Sequence, residues 1–310
     1  MIESITNWDT KVNRYHFNGL NEALLFWRDN ISFKNTRNII NCHASTIVCY
    51  SDASSHALGA ILNGHKITHK NFSLQEMQES STWREMFAIC YSVKVFRNTL
   101  KNRNILWYTD NFAASRIVEI GSNKTKLQQI AIEIFDICKS ENINLQIQWI
   151  PRELNNVSDS VSKYIDYDDW RISPVLFDYI NNIWGPFTID RFADQFNKQI
   201  PRFNSKFENE GSECVNAFTI KWNKDNNWLV PPISEISNVI KQMLFQNASG
   251  VLVIPKWESA KFWVQLVNFD GYKSFIKDYK IIPDGCRKFI IYGPGSRTAN
   301  FQGDLIALKF

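Results

Sequence analysis

The stretch TIVCYSDASSHALGAIL, residues 46–62, combines a strand, an acidic residue and the start of a hairpin. Its first half is rich in β-branched, apolar and aromatic side chains from Ile47 to Tyr50, which favour a strand. Its second half runs into Asn63-Gly64, a dipeptide typical of tight hairpin turns. Asp52 therefore stands at the end of a strand whose other residues are expected to be buried. A carboxylate in that position needs a specific reason.

The segments after the hairpin alternate between helical and strand patterns. Leu127, Ile130 and Ile134 recur at steps of three or four residues, as in an amphipathic helix, whereas Ile143 to Trp149 alternate and are predicted to share one face of a strand. The predicted elements are a strand over 46–52, a hairpin around 63–64, a helix over about 81–96, a strand over 104–111, a helix over 125–140, a strand over 143–150 and a short helix after Pro151. This order predicts a mixed α/β domain.

Length and composition leave several classes of partner open. The chain has 310 residues, 44% of them hydrophobic, and a formal net charge of +4. That length is more typical of two domains than of one, and the charge is compatible with a nucleic-acid partner without requiring it. The sequence shows neither a signal peptide nor a run of about 18 apolar residues. We therefore expect an intracellular protein, in the cytoplasm or nucleus, with no membrane partner.

Four acidic residues lie in elements that could bring them together. Asp52 and Asp110 each end an apolar strand, and the tips of neighbouring strands converge at one end of a sheet. The remaining two are Glu85, in the helical stretch WREMFAIC, and Asp159, in NNVSDSVSK. Taken singly, each is an ordinary turn, cap or solvated residue. Together they form a set of hard oxygen ligands, suited to two Mg²⁺ or Mn²⁺ ions.

Four motifs resemble, in order, the signatures of the ribonuclease H domain of retroelement reverse transcriptases. They are YSDASSHALGAIL, STWREMFAI, WYTDN and WIPRELNNVSDSVSK, and the resemblance covers residues 45–165. It implies a ribonuclease H-like mixed sheet with helices and the metal ligands Asp52, Glu85, Asp110 and Asp159. Glu76 and Glu79 are alternatives to Glu85. Two positions depart from the pattern, since Arg152 stands where glycine is usual and Lys163 replaces arginine.

Residues 172–310 resemble the phage-type DNA adenine N6-methyltransferase domain of tyrosine-recombinase (DIRS-group) retrotransposons. FTID places Asp190 at the position of the family's cofactor-pocket acid, and NWLVPPI resembles the catalytic NPPY loop. Val230 and Ile233 replace the polar residue and the aromatic residue of that loop, and an apolar pair cannot bind or stack on a flipped base. The resemblance therefore implies a degenerate Rossmann-like domain that has lost methyl transfer and S-adenosylmethionine binding.

Further features of this second domain have two interpretations each. Four tryptophans could be core anchors or a base-stacking platform, with core anchors favoured: Trp222, Trp228, Trp257 and Trp263. Basic residues interleaved with phenylalanines could form a surface that contacts a nucleic-acid backbone or a solvated face; they are Arg191, Lys198, Arg202 and Lys206.

These resemblances favour a metal-dependent endonuclease that hydrolyses the RNA strand of RNA–DNA hybrids within a retroelement polyprotein. Residues 1–44 would be the remnant of the reverse transcriptase connection, and a polymerase domain would be a partner. The main alternative is a domesticated, catalytically inactive module that binds nucleic acid or protein. An active adenine methyltransferase is the least favoured interpretation.

Overall fold

The computed structural model describes residues 20–30, 47–293 and 301–310. The chain forms two units, Met1–Ala44 and Ser45–Phe310. In the first unit the helix α1 (Leu20–Asn30) is described, and its apolar side chains, such as Trp27, are exposed. The rest of the predicted connection remnant lies outside the described residues. None of the helices in the described ranges has the length and apolar character needed to cross a membrane.

The strand and hairpin that open the second unit belong to a mixed five-stranded sheet, with the first strand at its centre and the hairpin on one side. Its strands are β1 (Ile47–Ala53), β2 (Ala57–Leu62), β3 (Lys66–Asn71), β4 (Asn104–Thr109) and β5 (Asn144–Trp149). Their order is β3-β2-β1-β4-β5, with β1, β4 and β5 parallel and the hairpin strands antiparallel. Asn63 and Gly64 adopt φ values of 49° and 73°, as the predicted turn requires.

Five helices accompany this sheet in the described residues, and the sequence patterns missed the first and the third. They are α2 (Leu74–Met77), α3 (Ser81–Leu100), α4 (Phe112–Ile120), α5 (Thr125–Ser140) and α6 (Asn156–Ser162). Met86 and Ile89 of α3 and Ile130 of α5 pack with Cys49 and Trp107 of the sheet in one apolar core. Of the residues predicted to share one face of β5, Ile143 and Ile147 are buried, whereas Trp149 at the end of the strand is 48% exposed.

A second five-stranded sheet follows. Across the sheet, its strands are in the order β14 (Asp278–Ile282), β16 (Leu305–Lys309), β11 (Ser249–Pro255), β10 (Asn226–Leu229) and β7 (Ile189–Asp190). The other strands in this part of the described chain are β6 (Trp170–Ile172), β8 (Asn204–Ser205), β9 (Cys214–Val215), β12 (Val267–Asn268), β13 (Gly271–Tyr272) and β15 (Ile290–Tyr292). The helices are α7 (Pro174–Trp184), α8 (Ile236–Gln246) and α9 (Gly285–Phe289). Strands β7, β10 and β11 are parallel, and β16 is antiparallel to β11 and to β14.

Both faces of the second sheet are buried, which explains the continuous apolar runs in its strands. Val251 and Val253 of β11 lie in one core cluster, together with Trp228. Leu252 and Ile254 lie in the other cluster, on the opposite face. The alternation of side chains along a strand thus separates two cores.

The polar and aromatic residues of the second domain are largely structural. Trp222, Trp228 and Trp263 are buried, which confirms their interpretation as core anchors. The interpretation of Arg191 as a surface cation is wrong, because its side chain is 1% exposed. Its guanidinium group donates hydrogen bonds to Asn227 at 2.7 Å and to Asp225 at 2.8 Å, and both partners are far from Arg191 in the sequence.

Within the second unit, the loop after β8 contacts β3, an edge strand of the first sheet. The Glu208 N–H donates to the Ile67 carbonyl at 2.8 Å, and the Thr68 hydroxyl donates to the Glu208 carbonyl at 2.8 Å. Lys206 adds an ion pair to Asp166 at 2.6 Å. The predicted boundary between residues 45–165 and 172–310 remains a prediction, because residues 45–310 cluster as one unit.

Gly59 allows α6 to approach β2, so we predict that Gly59→Ala destabilises the protein. A Cβ at this position would lie 2.6 Å from the Ser162 backbone nitrogen and from a Val161 methyl group. Overpacking of this kind costs about 1–3 kcal/mol. Urea denaturation should show this loss for Gly59→Ala and almost none for Ser55→Ala, in the exposed turn beside it. Equal stability of the two variants would contradict the close packing.

Candidate metal centre

The backbone register of the first sheet brings Asp52 and Asp110 to the same place. Tyr50 of β1 pairs with Tyr108 of β4 in parallel register, and their rings stack with centroids 5.0 Å apart. Asp52 and Asp110 each lie two residues further along, so they lie on the same side of the sheet at its carboxyl end. Asp52 is only 4% exposed.

Glu85 reaches the same end of the sheet from α3. This helix begins after Ser80, whose side chain accepts a hydrogen bond from the Trp83 N–H, and its apolar residues anchor it to the core. One carboxylate oxygen of Glu85 accepts a hydrogen bond from the Ala53 N–H at 3.2 Å. The other oxygen, Oε2, is buried and has no hydrogen-bond partner among the described residues. A buried carboxylate oxygen left unpaired is costly unless a cation or water completes its coordination.

Asp52, Glu85 and Asp110 each offer an oxygen atom, and these atoms lie within 4.8 Å of one another. Burial raises the pKa of all three carboxyl groups, most strongly that of Glu85, and the neighbouring carboxylates raise them further. Such shifts are typical of carboxyl groups that are buried close to one another in a functional site. The donor set and the unpaired Oε2 fit a hard divalent cation such as Mg²⁺ or Mn²⁺.

Asp159, the fourth predicted ligand, is engaged differently. Its two carboxylate oxygens form ion pairs with Arg152 at 3.0 Å and with Lys163 at 2.6 Å. Although partial burial raises the pKa of Asp159, the hydrogen bonds from the two cations outweigh it and the net pKa is lowered. The structure thus brings three of the four predicted ligands together and places the fourth on two basic side chains. The ligand role of each of the four remains a prediction.

Three residues that the sequence analysis did not assign to the site hold its members in place. Ser162 of α6 donates its hydroxyl to Asp52, and the Asn155 side chain donates to the Ser51 carbonyl at 3.0 Å. The Trp149 indole donates to the Asp110 carbonyl at 2.9 Å. All three residues lie inside the motif WIPRELNNVSDSVSK, which also contains Asp159, so the motif carried this signal.

The alternatives to Glu85 lie elsewhere. Glu76 caps α2 and pairs with Lys70 at 2.7 Å, and Glu79 pairs with Lys126 on α5. Neither belongs to the group of carboxylates described above. Geometry therefore favours Glu85 for this position.

In the second sheet, the residues at the predicted cofactor and catalytic positions, Asp190 and Val230, are buried within the protein. Asp190 at the end of β7 is 3% exposed, accepts a hydrogen bond from the Gln199 N–H at 3.1 Å, and has its pKa raised to about 7 by burial. Val230 after β10 is buried in an apolar cluster. The next carbonyl, that of Pro231, accepts a hydrogen bond from the Trp170 indole at 3.1 Å.

Comparison with known protein families supports both halves of this description. Residues 43–136 match the family model of the RNase H-like domain found in reverse transcriptase. Residues 159–305 match that of DNA N-6-adenine-methyltransferase (Dam). The two resemblances inferred from the motifs are thereby confirmed. The protein combines an α/β domain with a ribonuclease H-like mixed sheet and a second domain whose sequence matches the Dam methyltransferase family model.

Individual relatives agree with the first of these matches. The chain is 28% identical over 120 residues to the retrovirus-related Pol polyprotein from transposon 297 of Drosophila melanogaster, covering 37% of this chain and 11% of the relative. It thus spans about a tenth of that protein's length.

Similar solved structures include two ribonucleases H1 and a viral enzyme. RNase H1 from Halobacterium salinarum is 13% identical, with a TM-score of 0.33 over 38% of this chain and 94% of that chain. LC11-RNase H1 from compost, in complex with an RNA/DNA hybrid, is 16% identical, with a TM-score of 0.32 over 37% and 92%. The prototype foamy virus protease-reverse transcriptase is 13% identical, with a TM-score of 0.30 over 39% and 21%.

We predict that Glu85→Gln stabilises the metal-free protein at neutral pH by about 1 kcal/mol, the scale of many single stabilising substitutions. Glutamine can still accept the hydrogen bond from the Ala53 N–H but carries no charge. The pKa of Glu85 is raised in the folded state, so its protonated carboxyl group stabilises the fold at a pH below the ordinary carboxyl pKa. This contribution to stability is lost as the pH rises toward the pKa of the folded protein. The variant should therefore lose less stability than the wild type over this pH interval.

Thermal unfolding in chelator between pH 4 and pH 8 measures this difference. Glu153→Gln is the matched control, because Glu153 is exposed, and it should follow the wild-type curve. A Glu85→Gln variant that melts below the wild type at pH 8 would show that the carboxylates do not strain the fold.

Proposed function

We propose that this protein is a divalent-metal-dependent nuclease that hydrolyses the RNA strand of RNA–DNA hybrids. The observation that carries the proposal is the convergence of Asp52, Glu85 and Asp110, with a buried Glu85 oxygen that has no hydrogen-bond partner. The matches to a reverse transcriptase RNase H-like domain and to a transposon Pol polyprotein support the same reaction class. They also support a reverse transcriptase polymerase domain as the partner.

The three carboxylates, with Asp159, would hold two divalent ions. Bound there, the ions would supply a nucleophilic water and stabilise the leaving oxygen. Water adds to the phosphorus, the bond to the 3′ oxygen breaks and that oxygen takes up a proton, giving a 5′-phosphate and a 3′-hydroxyl. Discrimination of RNA would use the ribose 2′-hydroxyl and the shape of the minor groove rather than base sequence.

The chain's own residues would prepare this reaction by fixing the ligands. The Ala53 N–H holds one oxygen of Glu85, which leaves the other for coordination. The Ser162 hydroxyl orients Asp52, and the Trp149 indole fixes the backbone of Asp110. Groups held by the backbone and by buried partners need little rearrangement on binding, which favours catalysis.

We predict that Asp110→Asn lowers cleavage of a labelled RNA–DNA hybrid in Mg²⁺ by about 100-fold or more, the scale observed when a group that stabilises transition-state charge is removed. The control is Asp178→Asn, the same substitution at an exposed position of α7, which should cleave like the wild type. Equal cleavage by wild type and Asp110→Asn would point to a contaminating nuclease. Hybrid binding without cleavage by any of the three proteins would favour the inactive binding module.

We also infer that the second domain does not transfer methyl groups. Val230 and Ile233 occupy the positions at which the resembled family carries its polar and aromatic catalytic residues. The loop is held by other parts of the chain, since the Asp168 carboxylate accepts hydrogen bonds from the Ile233 N–H at 3.1 Å and from the Ser234 N–H at 2.9 Å. Together with the hydrogen bond from the Trp170 indole to the Pro231 carbonyl, these bonds hold the loop in place.

S-adenosylmethionine should therefore leave the melting temperature of the full chain unchanged. A ligand at about 100 times its dissociation constant stabilises a protein by about 2.7 kcal/mol, so thermal melting over a concentration series detects binding readily. A melting temperature that climbs with cofactor concentration would contradict the loss of the cofactor site.

A further inference from the structure

The ion pairs on Asp159 indicate how the candidate metal centre is charged before any ion binds. Arg152 and Lys163 each take one oxygen of this carboxylate, so neither oxygen is free of a basic partner. Lys163 lies four residues after Asp159, one turn along the chain, whereas Arg152 approaches from the short 3₁₀ helix Arg152–Leu154. Two separate elements therefore supply the positive charge.

The charge of Arg152 acts on more than its direct partner. It lowers the pKa of Asp110 against the larger effect of burial, and it lowers that of Asp52 to a smaller extent. In turn Asp159, Asp110 and Asp52 together raise the pKa of Arg152. The guanidinium group, held on Asp159 at 3.0 Å, thus compensates part of the negative charge of this site.

Counting charges shows what remains for a metal ion. When all four carboxylates are ionised, as metal coordination requires, they carry four negative charges, and Arg152 and Lys163 supply two positive ones. The uncompensated charge equals that of one divalent ion. A second ion would meet the guanidinium and ammonium groups already on Asp159, and like charges at such distances repel.

We propose that Arg152 serves as a resident cation on the Asp159 side of the site, so that one divalent ion binds readily and a second must displace Arg152. This inference rests on the proposed metal-dependent function and adds a regulatory element to it. The displacement is feasible because Arg152 is 65% exposed, and an exposed ion pair contributes little stability. Occupancy of the second site would then depend on the concentration of free Mg²⁺.

Calorimetric titration of the full chain with Mg²⁺ at low ionic strength, without nucleic acid, tests this inference directly. We expect Arg152→Ala to bind the weaker ion about fivefold more tightly than the wild type, the change expected when one exposed ion pair is removed. Arg152→Lys, which retains the positive charge, should resemble the wild type. Arg116→Ala is the matched control, because Arg116 is also an exposed arginine paired with a single carboxylate, at 51% exposure.

The outcomes separate this inference from the proposed function. Glu85→Gln, titrated in parallel, should lose the tighter ion. If Glu85→Gln binds Mg²⁺ like the wild type, the metal centre itself is wrong. If Glu85→Gln loses the ion but Arg152→Ala matches the wild type in the number and affinity of ions, the resident cation alone is wrong. A gain of affinity in Arg152→Lys equal to that in Arg152→Ala would also overturn it, because charge would then have no part in the effect.

Discussion

The carboxylates of Asp52, Glu85 and Asp110 repel one another, and the fold must hold them together against that repulsion. Asp52 and Glu85 are almost fully buried, so water screens their charges poorly. The opposing free energy comes from the apolar contacts of α3 and α5 with the sheet, which do not depend on the acids. A site of this kind trades stability for function and is expected to relax when a cation binds.

Precision at the site comes from regular secondary structure and not from loops. The parallel register of β1 and β4 fixes the spacing of Asp52 and Asp110. The packing of α3 on the sheet fixes the position of Glu85 relative to them. Helix α6 can add Ser162 to the site because Gly59 of β2 has no side chain between them. The position of each acid therefore depends on contacts between elements that are distant from one another in the sequence.

The sequence predicted the elements whose signals are local and missed features that depend on distant partners. Strand alternation and helical spacing located β1, β4 and α5, and the position of Asp52 and Asp110 at strand ends placed them side by side. Helices α2 and α4 were not predicted, and both are shorter than the windows of about 11 to 18 residues in which periodicity is judged. The burial of Arg191 was missed because its amide and carboxylate partners lie 13 to 36 residues away. The Lys163–Asp159 pair follows from its i,i+4 spacing, but nothing local indicates that Arg152 joins it.

The second domain contributes to the first through contacts that are independent of its own chemistry. Strand β3 is an edge strand, and an uncovered edge presents unpaired N–H and carbonyl groups to other chains. Glu208 supplies backbone hydrogen bonds to that edge, while His69 packs between the rings of Tyr164 and Phe207. None of these residues belongs to the loop around Val230. The contacts that cover this edge therefore do not depend on the residues at positions 230 and 233 of that loop.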